Sequence, residues 1–459
     1  MKELKLRQLA QWCGGTLAEA YADITVCGMQ HDSRNVRKGD LFVALPGERV
    51  DGHSFVEKAG QSGAVAALVS KPVETQLPQI MVADTLKAYG DIAAAYRLYS
   101  EVQVTAITGS VGKTTTKEMV ACVLSGGYRV AKTSGNHNNN LGLPMTVMEM
   151  PDDTQQAVLE LGMNHFGEMS YLTAIARPNM VVITNIGTMH IEHLGSREGI
   201  LQAKLEILEG LQPGGTAIFN GDEPLLWQLP KDTYGRIYFG IDNRDCDLVA
   251  ENVRQMDGGV SFMAVGMGQR LQVYVPQEGR HTVYNALAAI AVGLLHGLRG
   301  DQICQQLEQF RNTGMRQRVY DANGFTIIED CYNAGPESME AALRVLGEHK
   351  TAGRRIAVLG DMLELGSRSM AEHYRVGRLA AECADIILAY GANSGRIITG
   401  AVTGGVSTKC ALHYEEQRAM AQALATMAKP GDVLLFKGSR GMRMEEVLRM
   451  FLQDATNNS

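Results

Sequence analysis

The stretch from Val104 to Met119 constrains the fold of this chain more than any other, and it reads Val-Thr-Ala-Ile-Thr-Gly-Ser-Val-Gly-Lys-Thr-Thr-Thr-Lys-Glu-Met. Its opening residues are largely apolar and β-branched, which predicts a buried parallel strand. A short glycine loop follows, and Lys113 to Leu124 then shows the apolar spacing of a helix. A strand, a glycine turn and a helix N-terminus together form an anion site, because backbone N–H groups and the helix dipole both favour phosphate oxygens.

The glycine loop carries the residues that a triphosphate site requires. Lys113 is placed to reach the β- and γ-phosphates of ATP, and the Thr114 hydroxyl is placed to bind Mg²⁺. The other loop residues expected to contact ATP are Gly109, Ser110, Val111, Gly112 and Thr115. The full P-loop pattern has a glycine where this chain has Ile107, so the loop is a shortened form. The alternative is a glycine turn that only caps a core helix, and Gly-Lys-Thr in this context favours the phosphate site.

The composition argues against several classes of protein. With 459 residues the chain is long for a single core, which predicts two or three domains. A formal net charge of -7 argues against a nucleic-acid partner, because such proteins usually carry a basic stripe. The sequence shows neither a signal-peptide pattern nor a run of about 18 apolar residues, so no membrane span is predicted. The 8 cysteines are scattered without a C-x-x-C pair, which indicates reduced thiols in a cytoplasmic enzyme.

The order of helix and strand patterns predicts an α/β protein of three domains. Residues 1–100 form a small N-terminal α/β domain. Residues 101–313 alternate strands and helices around the glycine loop and include a meander from Asp247 to Val275, which predicts a central P-loop ATPase-type domain with a mostly parallel sheet. Residues 314–459 alternate again, which predicts a Rossmann-like C-terminal domain.

Two polar loops are candidate substrate sites. In the first loop, Ser33 and Arg34 could hold a phosphate or diphosphate through a hydroxyl and charge-assisted hydrogen bonds, and a solvated turn is the alternative. The second loop contains four asparagines: Asn136, Asn138, Asn139 and Asn140. Their amides suit a site beside phosphates or a carboxylate, although a turn-rich connection explains them equally well.

Several ionisable residues follow predicted strands or lie in a predicted helix. Glu160 ends a strand at the place where an α/β sheet positions a metal ligand. His190 and His193 follow the next strand and could bind a metal or position substrate, whereas a lone histidine is more often structural. Lys204 lies among leucines in a helix, a pattern typical of a surface lysine with a buried stem. Asp330 follows a strand, as ribose-binding acids often do.

An ordered set of motifs resembles that of the Mur ligases, the ATP-dependent amide-forming enzymes of peptidoglycan synthesis. The motifs are Asp32-Ser33-Arg34, Thr108 to Thr115, Asn136 to Asn139, Glu160 to Met163, Asn185 to His190 with Gly195-Ser196, Ala203 to Glu206, His281 to Ala289, and Glu329 to Met339. Each motif is weak alone, but the set is specific and covers essentially the whole chain. The signature Tyr-Asn-Ala-x-Pro-x-Ser-Met from Tyr332 resembles the branch that adds D-alanyl-D-alanine rather than an earlier residue.

The resemblance implies a reaction and a role for each domain. The first domain would hold the uridine diphosphate of a UDP-N-acetylmuramoyl tripeptide, which favours a substrate role for Ser33 and Arg34. The second domain would be the ATPase, and the third would close over ATP and help to bind D-alanyl-D-alanine. The product would be the pentapeptide precursor of peptidoglycan, so the enzyme would serve cell-wall biogenesis, cell shape and cell division. The resemblance implies a monomer with these small-molecule partners.

The resemblance also implies roles for single residues. Thr114 and Glu160 would bind one Mg²⁺, and His190 would belong to a second Mg²⁺ site. Lys204 matches the lysine that is carbamylated in this family, which would give an anionic group that orients or bridges metal. The implied catalytic residues are Lys113, Lys204 and His190. The implied ATP contacts outside the loop are Asn285, Arg316 and Asp330, and the implied contacts to the muramoyl peptide or dipeptide are Asn136, Asn138, Asn139, Tyr332 and Asn333.

Four positions depart from the family pattern and two rival functions share parts of it. The departures are Thr282, Glu329, Cys331 and Gly335, which bear on hydrogen bonding around the ribose and the dipeptide. A ligase that adds glutamates to folate would lack a UDP-holding first domain. A P-loop kinase or motor-type ATPase would hydrolyse ATP without an amine acceptor.

Overall fold

The described residues of the computed structural model, 1–47, 50–230, 234–312 and 314–457, form four β-sheets with helices packed on them. A short antiparallel pair joins β1 (Leu4–Lys5) to β2 (Thr25–Val26). The N-terminal parallel sheet contains, in spatial order, β3 (Gly28–Gln30), β4 (Asp40–Val43), β5 (Ala66–Val69) and β6 (Gln79–Met81). The helices of this region are α1 (Leu6–Cys13), α2 (Val56–Gln61) and α3 (Thr85–Tyr99).

The central sheet has nine strands, and the predicted meander forms one side of it. In spatial order they are β15 (Gln269–Val275), β14 (Gly259–Gly266), β13 (Leu248–Met256), β12 (Gly235–Gly240), β11 (Thr216–Asn220), β10 (Met180–Ile183), β7 (Gln103–Thr108), β9 (Gln156–Glu160) and β8 (Val130–Lys132). The strands from β13 to β8 pair in parallel, and β14 and β15 pair antiparallel. The helices are α4 (Lys113–Leu124), α5 (Gly142–Met148), α6 (Glu168–Ala176), α7 (Ile191–Leu194), α8 (Arg197–Leu205), α9 (Pro224–Trp227), α10 (Arg280–Leu295) and α11 (Gly300–Glu308).

The third sheet is parallel except at one edge. In spatial order its strands are β16 (Arg318–Ala322), β17 (Phe325–Asp330), β21 (Val433–Lys437), β18 (Arg355–Gly360), β19 (Ile386–Tyr390) and β20 (Ala411–Tyr414). The edge strand β16 pairs antiparallel with β17. The helices are α12 (Pro336–Glu348), α13 (Ser369–Cys383), α14 (Gly395–Thr403), α15 (Gln417–Met427) and α16 (Met444–Asn457). The α/β prediction with a mostly parallel central sheet and a Rossmann-like third domain is confirmed.

The strand that precedes the glycine loop lies inside the central sheet. β7 pairs with β10 on one side and with β9 on the other, and its residues after Gln103 are buried. Because all three strands are parallel, their carboxyl ends meet at one edge, where α/β sheets bind ligands. The glycine loop, Glu160 and the segment that leads to His190 therefore lie together at this edge.

The junction between the N-terminal region and the central sheet is tightly packed. Arg97 of α3 is buried, and its guanidinium donates to the carbonyls of Ala176 (3.1 Å) and Arg177 (2.8 Å) at the end of α6. Burial lowers the pKa of Arg97 to about 10. Gly90 allows α3 to approach α6 closely, because a Cβ at this position would collide with the Tyr171 hydroxyl. The proposed domain boundary near residue 100 is thus crossed by a shared hydrophobic core.

Some predictions of elements need correction. The sequence pattern predicts a helix from Arg197 to Leu208 around Lys204, but the helix ends at Leu205 and continues as a 3-10 turn, Glu206–Gly210. Local patterns missed β16, whose residues are mostly exposed, and α5, which follows a loop of asparagines and contains Pro144 in its first turn, where proline is tolerated. The domain boundaries stay predictions, and Thr313, the last residue of the predicted central domain, lies outside the described residues. None of the described helices has the length and apolarity that a membrane crossing requires.

Candidate active site

A cavity of about 410 Å³ lies between the central sheet and the third sheet, and most of the predicted site residues line it. Those residues are Ser110, Val111, Gly112, Lys113, Thr115, Asn138, Asn139, Glu160, His190, Asn285, Arg316, Asp330, Tyr332 and Asn333. The other predicted residues lie outside its lining: Gly109, Thr114, Lys204, Ser33, Arg34 and Asn136. The cavity is therefore lined both by the glycine loop and by the Tyr-Asn-Ala segment, two motifs that the sequence predicted separately.

The glycine loop is held in shape by the segment that follows β10. The Ser110 N–H donates to the Asn185 carbonyl (3.1 Å), and the Val111 N–H donates to Asn185 Oδ1 (2.9 Å). The Thr184 hydroxyl donates to the Val111 carbonyl at 2.6 Å. Gly109 has φ +149, and a Cβ there would collide with the Thr184 hydroxyl, so this position requires glycine. The loop conformation is thus fixed by contacts within the protein.

Lys113 begins α4 and turns its ammonium back over the loop. Its Nζ donates to the carbonyls of Gly109 (2.7 Å) and Ser110 (3.3 Å). Burial lowers the Lys113 pKa to about 8, and the nearby Glu160 carboxylate partly opposes this shift. The lysine therefore carries its charge at neutral pH and lies at the rim of the loop, where a terminal phosphate would meet it.

Glu160 offers one carboxylate oxygen without a partner. The residue is 2% exposed, and its Oε1 accepts from Asn138 Nδ2 at 2.9 Å. Its Oε2 is buried and has no hydrogen-bond partner among the described residues. Since a buried carboxylate oxygen without a donor is costly, this atom fits a site that a cation completes.

Lys117 is linked to Glu160 through Thr133. The sequence patterns did not predict this role for Lys117. It is 1% exposed, and its Nζ donates to the Thr133 carbonyl (2.7 Å) and lies 2.9 Å from Glu118 Oε1. The Thr133 hydroxyl in turn accepts from the Glu160 N–H at 2.9 Å. The P-loop helix is thereby tied to the start of the asparagine loop and to the acid beside it. A lysine four residues after Lys113 has no distinctive spacing, so only the folded structure reveals this role.

Lys204 is buried, so the surface-lysine alternative is wrong. The residue is 3% exposed, and its side chain forms no hydrogen bond or ion pair with any residue that the structure describes. Burial lowers its pKa well below the usual value, and the charge of Lys113 adds to this effect. A buried lysine with a lowered pKa is an amine that can react as a nucleophile.

His190 has a left-handed backbone conformation, and its ring contacts a carboxylate in the loop that follows β18 of the third sheet. It precedes α7 with φ +63, and its Nδ1 lies 2.7 Å from Glu364 Oε2, a residue with φ +62. Burial lowers the His190 pKa to about 4, with Lys113 contributing, so the ring is neutral at pH 7. A neutral ring beside a carboxylate holds its proton on Nδ1 and leaves Nε2 as an acceptor or metal ligand. His193, the second candidate histidine, instead stacks on His165 at 4.6 Å between ring centroids.

The third sheet supplies cations at the opposite wall of the cavity. The Arg316 guanidinium stacks on the Tyr332 ring at 4.0 Å from its centroid. Asp330 pairs with Lys437 Nζ at 2.5 Å, and the same ammonium donates to the Asn333 carbonyl at 3.1 Å. Lys437 is 2% exposed and was missed by the sequence patterns because it ends an ordinary apolar strand.

The predicted uridine-diphosphate residues lie at the carboxyl edge of the N-terminal sheet. Ser33 is 9% exposed, whereas the Arg34 side chain is 80% exposed and pairs with Asp32 at 2.6 Å. This pairing lowers the pKa of Asp32. Helix α5, which follows the asparagine loop, packs against β3, the strand that leads to the Ser33 loop. The two polar loops are therefore neighbours.

All four departures from the family pattern lie outside the lining of this cavity. The Thr282 hydroxyl donates to the Glu278 carbonyl at 3.0 Å, and Cys331 is buried with its Sγ donating to the Phe436 carbonyl. Burial raises the pKa of Glu329, which lies on β17 opposite Arg318 of β16. Only Gly335 lies in a loop that faces the central domain, where a Cβ would come within 2.8 Å of Met189 Cγ.

Polar contacts hold the third sheet against the central sheet. The Thr188 hydroxyl donates to Glu337 Oε1 at 2.9 Å, and His349 Nδ1 lies 2.9 Å from Glu278 Oε2. The His349–Glu278 pair is largely buried, and it bridges α12's end to the start of α10. The hydrogen bond to Glu278 raises the pKa of His349.

We expect the His349–Glu278 pair to make the stability of the domain junction depend on pH. A raised histidine pKa means that the protonated ring is favoured in the folded state, so the gain is complete below the unfolded value of about 6.5 and is lost as the pH rises through the raised value. His349→Gln should lower the thermal midpoint at about pH 6, corresponding to about 1 kcal/mol, and leave it unchanged near pH 9. Scanning calorimetry of both proteins across this range checks the expectation, and an equal loss at both pH values would contradict it.

Comparisons with known proteins agree with this geometry. Residues 107–293 match the Mur ligase middle domain, residues 315–440 match the Mur ligase glutamate ligase domain, and residues 25–102 match the Mur ligase family catalytic domain. The UDP-N-acetylmuramoyl-tripeptide–D-alanyl-D-alanine ligase of Bacillus subtilis is 40% identical over 458 residues, which cover 98% of each chain. A solved MurF structure from Acinetobacter baumannii superimposes with a TM-score of 0.90 at 33% identity over 99% of each chain. A MurF structure from Thermotoga maritima in complex with ADP gives 0.84 at 29% identity, over 94% of this chain and 98% of that one.

Proposed function

The chain belongs to the Mur ligase family, and we propose that it uses ATP to join D-alanyl-D-alanine to a UDP-N-acetylmuramoyl tripeptide in peptidoglycan synthesis. One observation carries the proposal: Lys113 on the glycine loop and the unpartnered oxygen of Glu160 belong to one cavity that the third domain closes. Full-length similarity to ligases of this name supports the choice of substrates.

The proposed reaction has two steps, and each step balances in atoms and electrons. An oxygen of the tripeptide's terminal carboxylate attacks the γ-phosphorus of ATP, and the bond to ADP breaks. The neutral amine of the dipeptide then attacks the carbonyl carbon of the acyl phosphate, inorganic phosphate leaves, and the amine loses its proton. The first step brings two anions together, so the charge of Lys113 and the loop N–H groups offset their repulsion and stabilise the transferring phosphoryl group.

The residues at the cavity fit Mg²⁺. Thr114, Glu160 and His190 supply a hydroxyl, an unpartnered carboxylate oxygen and a free ring nitrogen. Among the described residues no three His, Cys, Asp or Glu side chains gather into a metal-binding set, which suits a cation that keeps waters and takes substrate phosphates. When bound, Mg²⁺ would neutralise phosphate charge.

We propose that Lys204 is carbamylated. Its neutral amine would add to carbon dioxide, forming a C–N bond and releasing one proton, and the product would be an anionic carbamate. The burial of an amine without a partner, close to the charge of Lys113, supports this step because an anion there would be stabilised by the nearby cation. The carbamate oxygens would then be hard ligands of the kind that Mg²⁺ prefers.

The binding of the uridine diphosphate to Ser33 and Arg34, and of the muramoyl peptide to Asn136, Asn138 and Asn139, belongs to the same proposal. Its support is the packing of α5 against β3, which brings the two polar loops together, and the presence of Asn138 and Asn139 in the cavity wall. ATP would contact Asn285, Arg316 and Asp330, which line the cavity together with the loop. The three domain ranges, a monomeric state and a cytoplasmic location are likewise proposed.

The rival functions make different demands on ATP turnover. We expect phosphate release to require both a UDP-muramoyl tripeptide and D-alanyl-D-alanine, because the acyl phosphate forms only with the first and is consumed only by the second. A panel of UDP-muramoyl peptides and amine acceptors, each assayed for phosphate release and for the coupled peptide, tests this. Hydrolysis without any acceptor would favour a kinase or motor-type ATPase, and coupling of glutamate to folate would favour the other ligase.

A further inference from the structure

Thr133 lies where α4, β8 and β9 meet, and all three of its polar groups form hydrogen bonds. The residue is fully buried and directly follows β8. Its N–H donates to the Val158 carbonyl at 3.1 Å, its carbonyl accepts from Lys117 Nζ at 2.7 Å, and its hydroxyl accepts from the Glu160 N–H at 2.9 Å. Thr133 therefore joins Lys117 of α4 to Glu160 of β9 through hydrogen bonds on both sides.

The same two elements carry two proposed ligands of one cation. Thr114 lies in the first turn of α4, and Glu160 ends β9 with its Oε2 buried and without a hydrogen-bond partner among the described residues. Because Mg²⁺ tolerates little departure from octahedral geometry, its ligands must be held at fixed separations. Helix α4 packs against β9, and Lys117, one turn after the glycine loop, adds a polar link between them.

A buried carboxylate pairs with the Lys117 ammonium. Glu118 Oε1 lies 2.9 Å from Lys117 Nζ, and Glu118 Oε2 accepts from Lys132 Nζ. Burial on its own would raise the pKa of Glu118, but the hydrogen bonds from Lys132 and Lys117 hold this pKa below its usual value. The carboxylate is therefore ionised at neutral pH and serves both lysines. If Lys117 is replaced, the pair between Glu118 and Lys132 remains.

The position of Lys117 excludes a direct contact with the reactants. The residue is 1% exposed and lies outside the lining of the active-site cavity. A buried ion pair adds little net stability, because the desolvation of both charges offsets their attraction. The pair does fix the place of one ammonium, whose other hydrogen bond goes to Thr133. The effect of Lys117 is therefore expected in the geometry of the atoms that Thr133 holds.

On the basis of the proposed function, we propose that Lys117 is a positioning residue for the Mg²⁺ site. Its hydrogen bond to Thr133 fixes the end of β9 relative to α4, so that Glu160 and Thr114 can share one cation. The asparagine loop begins at Thr133, and its Asn138 donates to the other oxygen of Glu160 at 2.9 Å. The free oxygen of Glu160 is thus left for the cation.

Metal affinity, rather than activity, tests this role. Lys117→Met keeps the length of the side chain and removes the donor, and it should raise the Mg²⁺ dissociation constant of the enzyme bound to a non-hydrolysable ATP analogue about 10–100-fold. Losing a group that orients a metal ligand typically costs this much affinity. The affinity for the analogue in EDTA should equal that of the wild-type enzyme, because the glycine loop is unchanged. Titration calorimetry measures both constants.

Two further variants test the path of this effect. Lys132→Met is the matched control, because Lys132 pairs with the same carboxylate and donates to no other described residue, so it should keep the wild-type Mg²⁺ constant. Thr133→Val removes the hydroxyl that accepts from the Glu160 N–H and should weaken Mg²⁺ binding by a similar factor. Combining it with Lys117→Met should add little, because both changes break one link.

The outcomes separate this inference from the proposed function. If the wild-type enzyme forms no pentapeptide, the proposed function fails, while the Mg²⁺ titrations still decide the role of Lys117. A wild-type Mg²⁺ constant in Lys117→Met, or in Thr133→Val where Lys117→Met does not fold, overturns the positioning role. The role is also overturned if the two losses multiply in the double variant, or if Lys132→Met weakens Mg²⁺ binding as much as Lys117→Met does.

Discussion

Replacing Lys113 with alanine is expected to lower the rate of acyl-phosphate formation by at least about 10³-fold. Removing one preorganised donor from a charged transition state typically costs about 3–4 kcal/mol, and here the donor is also a full charge that offsets the meeting of two anions. The Lys113 ammonium lies over the carbonyls of the glycine loop, the segment proposed to hold the terminal phosphate. Trapping the acyl phosphate with hydroxylamine and measuring ADP release in a single turnover would give the rate.

The same variant should keep its affinity for the UDP-tripeptide, because the residues proposed to hold the uridine diphosphate lie on a different sheet. Calorimetric titration with the UDP-tripeptide checks this point and shows that the variant is folded. Lys87→Ala is a suitable control, since Lys87 is an exposed lysine on α3 that pairs with Asp91. Normal turnover by Lys113→Ala would refute the assignment of the glycine loop as the phosphate site.

Local sequence patterns predicted the elements whose conformation depends on residues adjacent in sequence. The run after Val104 is apolar and β-branched, and the following helix begins at Lys113 and ends at Leu124, as the spacing predicts. The glycines at 109 and 112 both adopt positive φ, which explains why the loop needs them. A strand, a turn and a helix are each specified by residues that are neighbours in sequence, so they can be predicted from one amino-acid sequence.

The pairings that complete the site join residues far apart in sequence, and no local pattern contains them. Glu364 reaches His190, and Lys437 reaches Asp330, across 174 and 107 positions. Lys204 has the spacing of a surface residue, yet the packing of α8 buries it. Likewise, β16 was missed because its residues are mostly exposed and gain their place only by pairing with β17. Motif resemblance supplied roles for His190 and Lys204 that periodicity alone would have assigned to structure or surface.

Lys204→Ala is expected to be inactive and to regain part of its activity with added short carboxylates such as acetate or propionate. The physical reason is that the proposed carbamate is an anion on a flexible stem, and truncation to alanine leaves a buried space beside Lys113 that a small carboxylate can enter. An added ammonium compound should not rescue the variant, because the missing group is negative. Rescue should therefore follow the charge of the additive and saturate with its concentration, measured as pentapeptide formed per enzyme.

The wild-type enzyme offers an independent check on the same residue. Because carbamylation consumes carbon dioxide and an unprotonated amine, stripping carbon dioxide should lower activity, and bicarbonate should restore it. Burial lowers the pKa of the Lys204 amine, so the unprotonated amine that carbamylation needs forms more readily than on an exposed lysine, and the modification should be lost on acidification. Lys132→Ala, which removes a partly exposed lysine paired with Glu118 of α4, keeps Lys204 and should respond to these treatments as the wild-type enzyme does, whereas Lys204→Ala should not respond. A free amine on Lys204 in active crystals at neutral pH, seen by mass spectrometry, would contradict the carbamate.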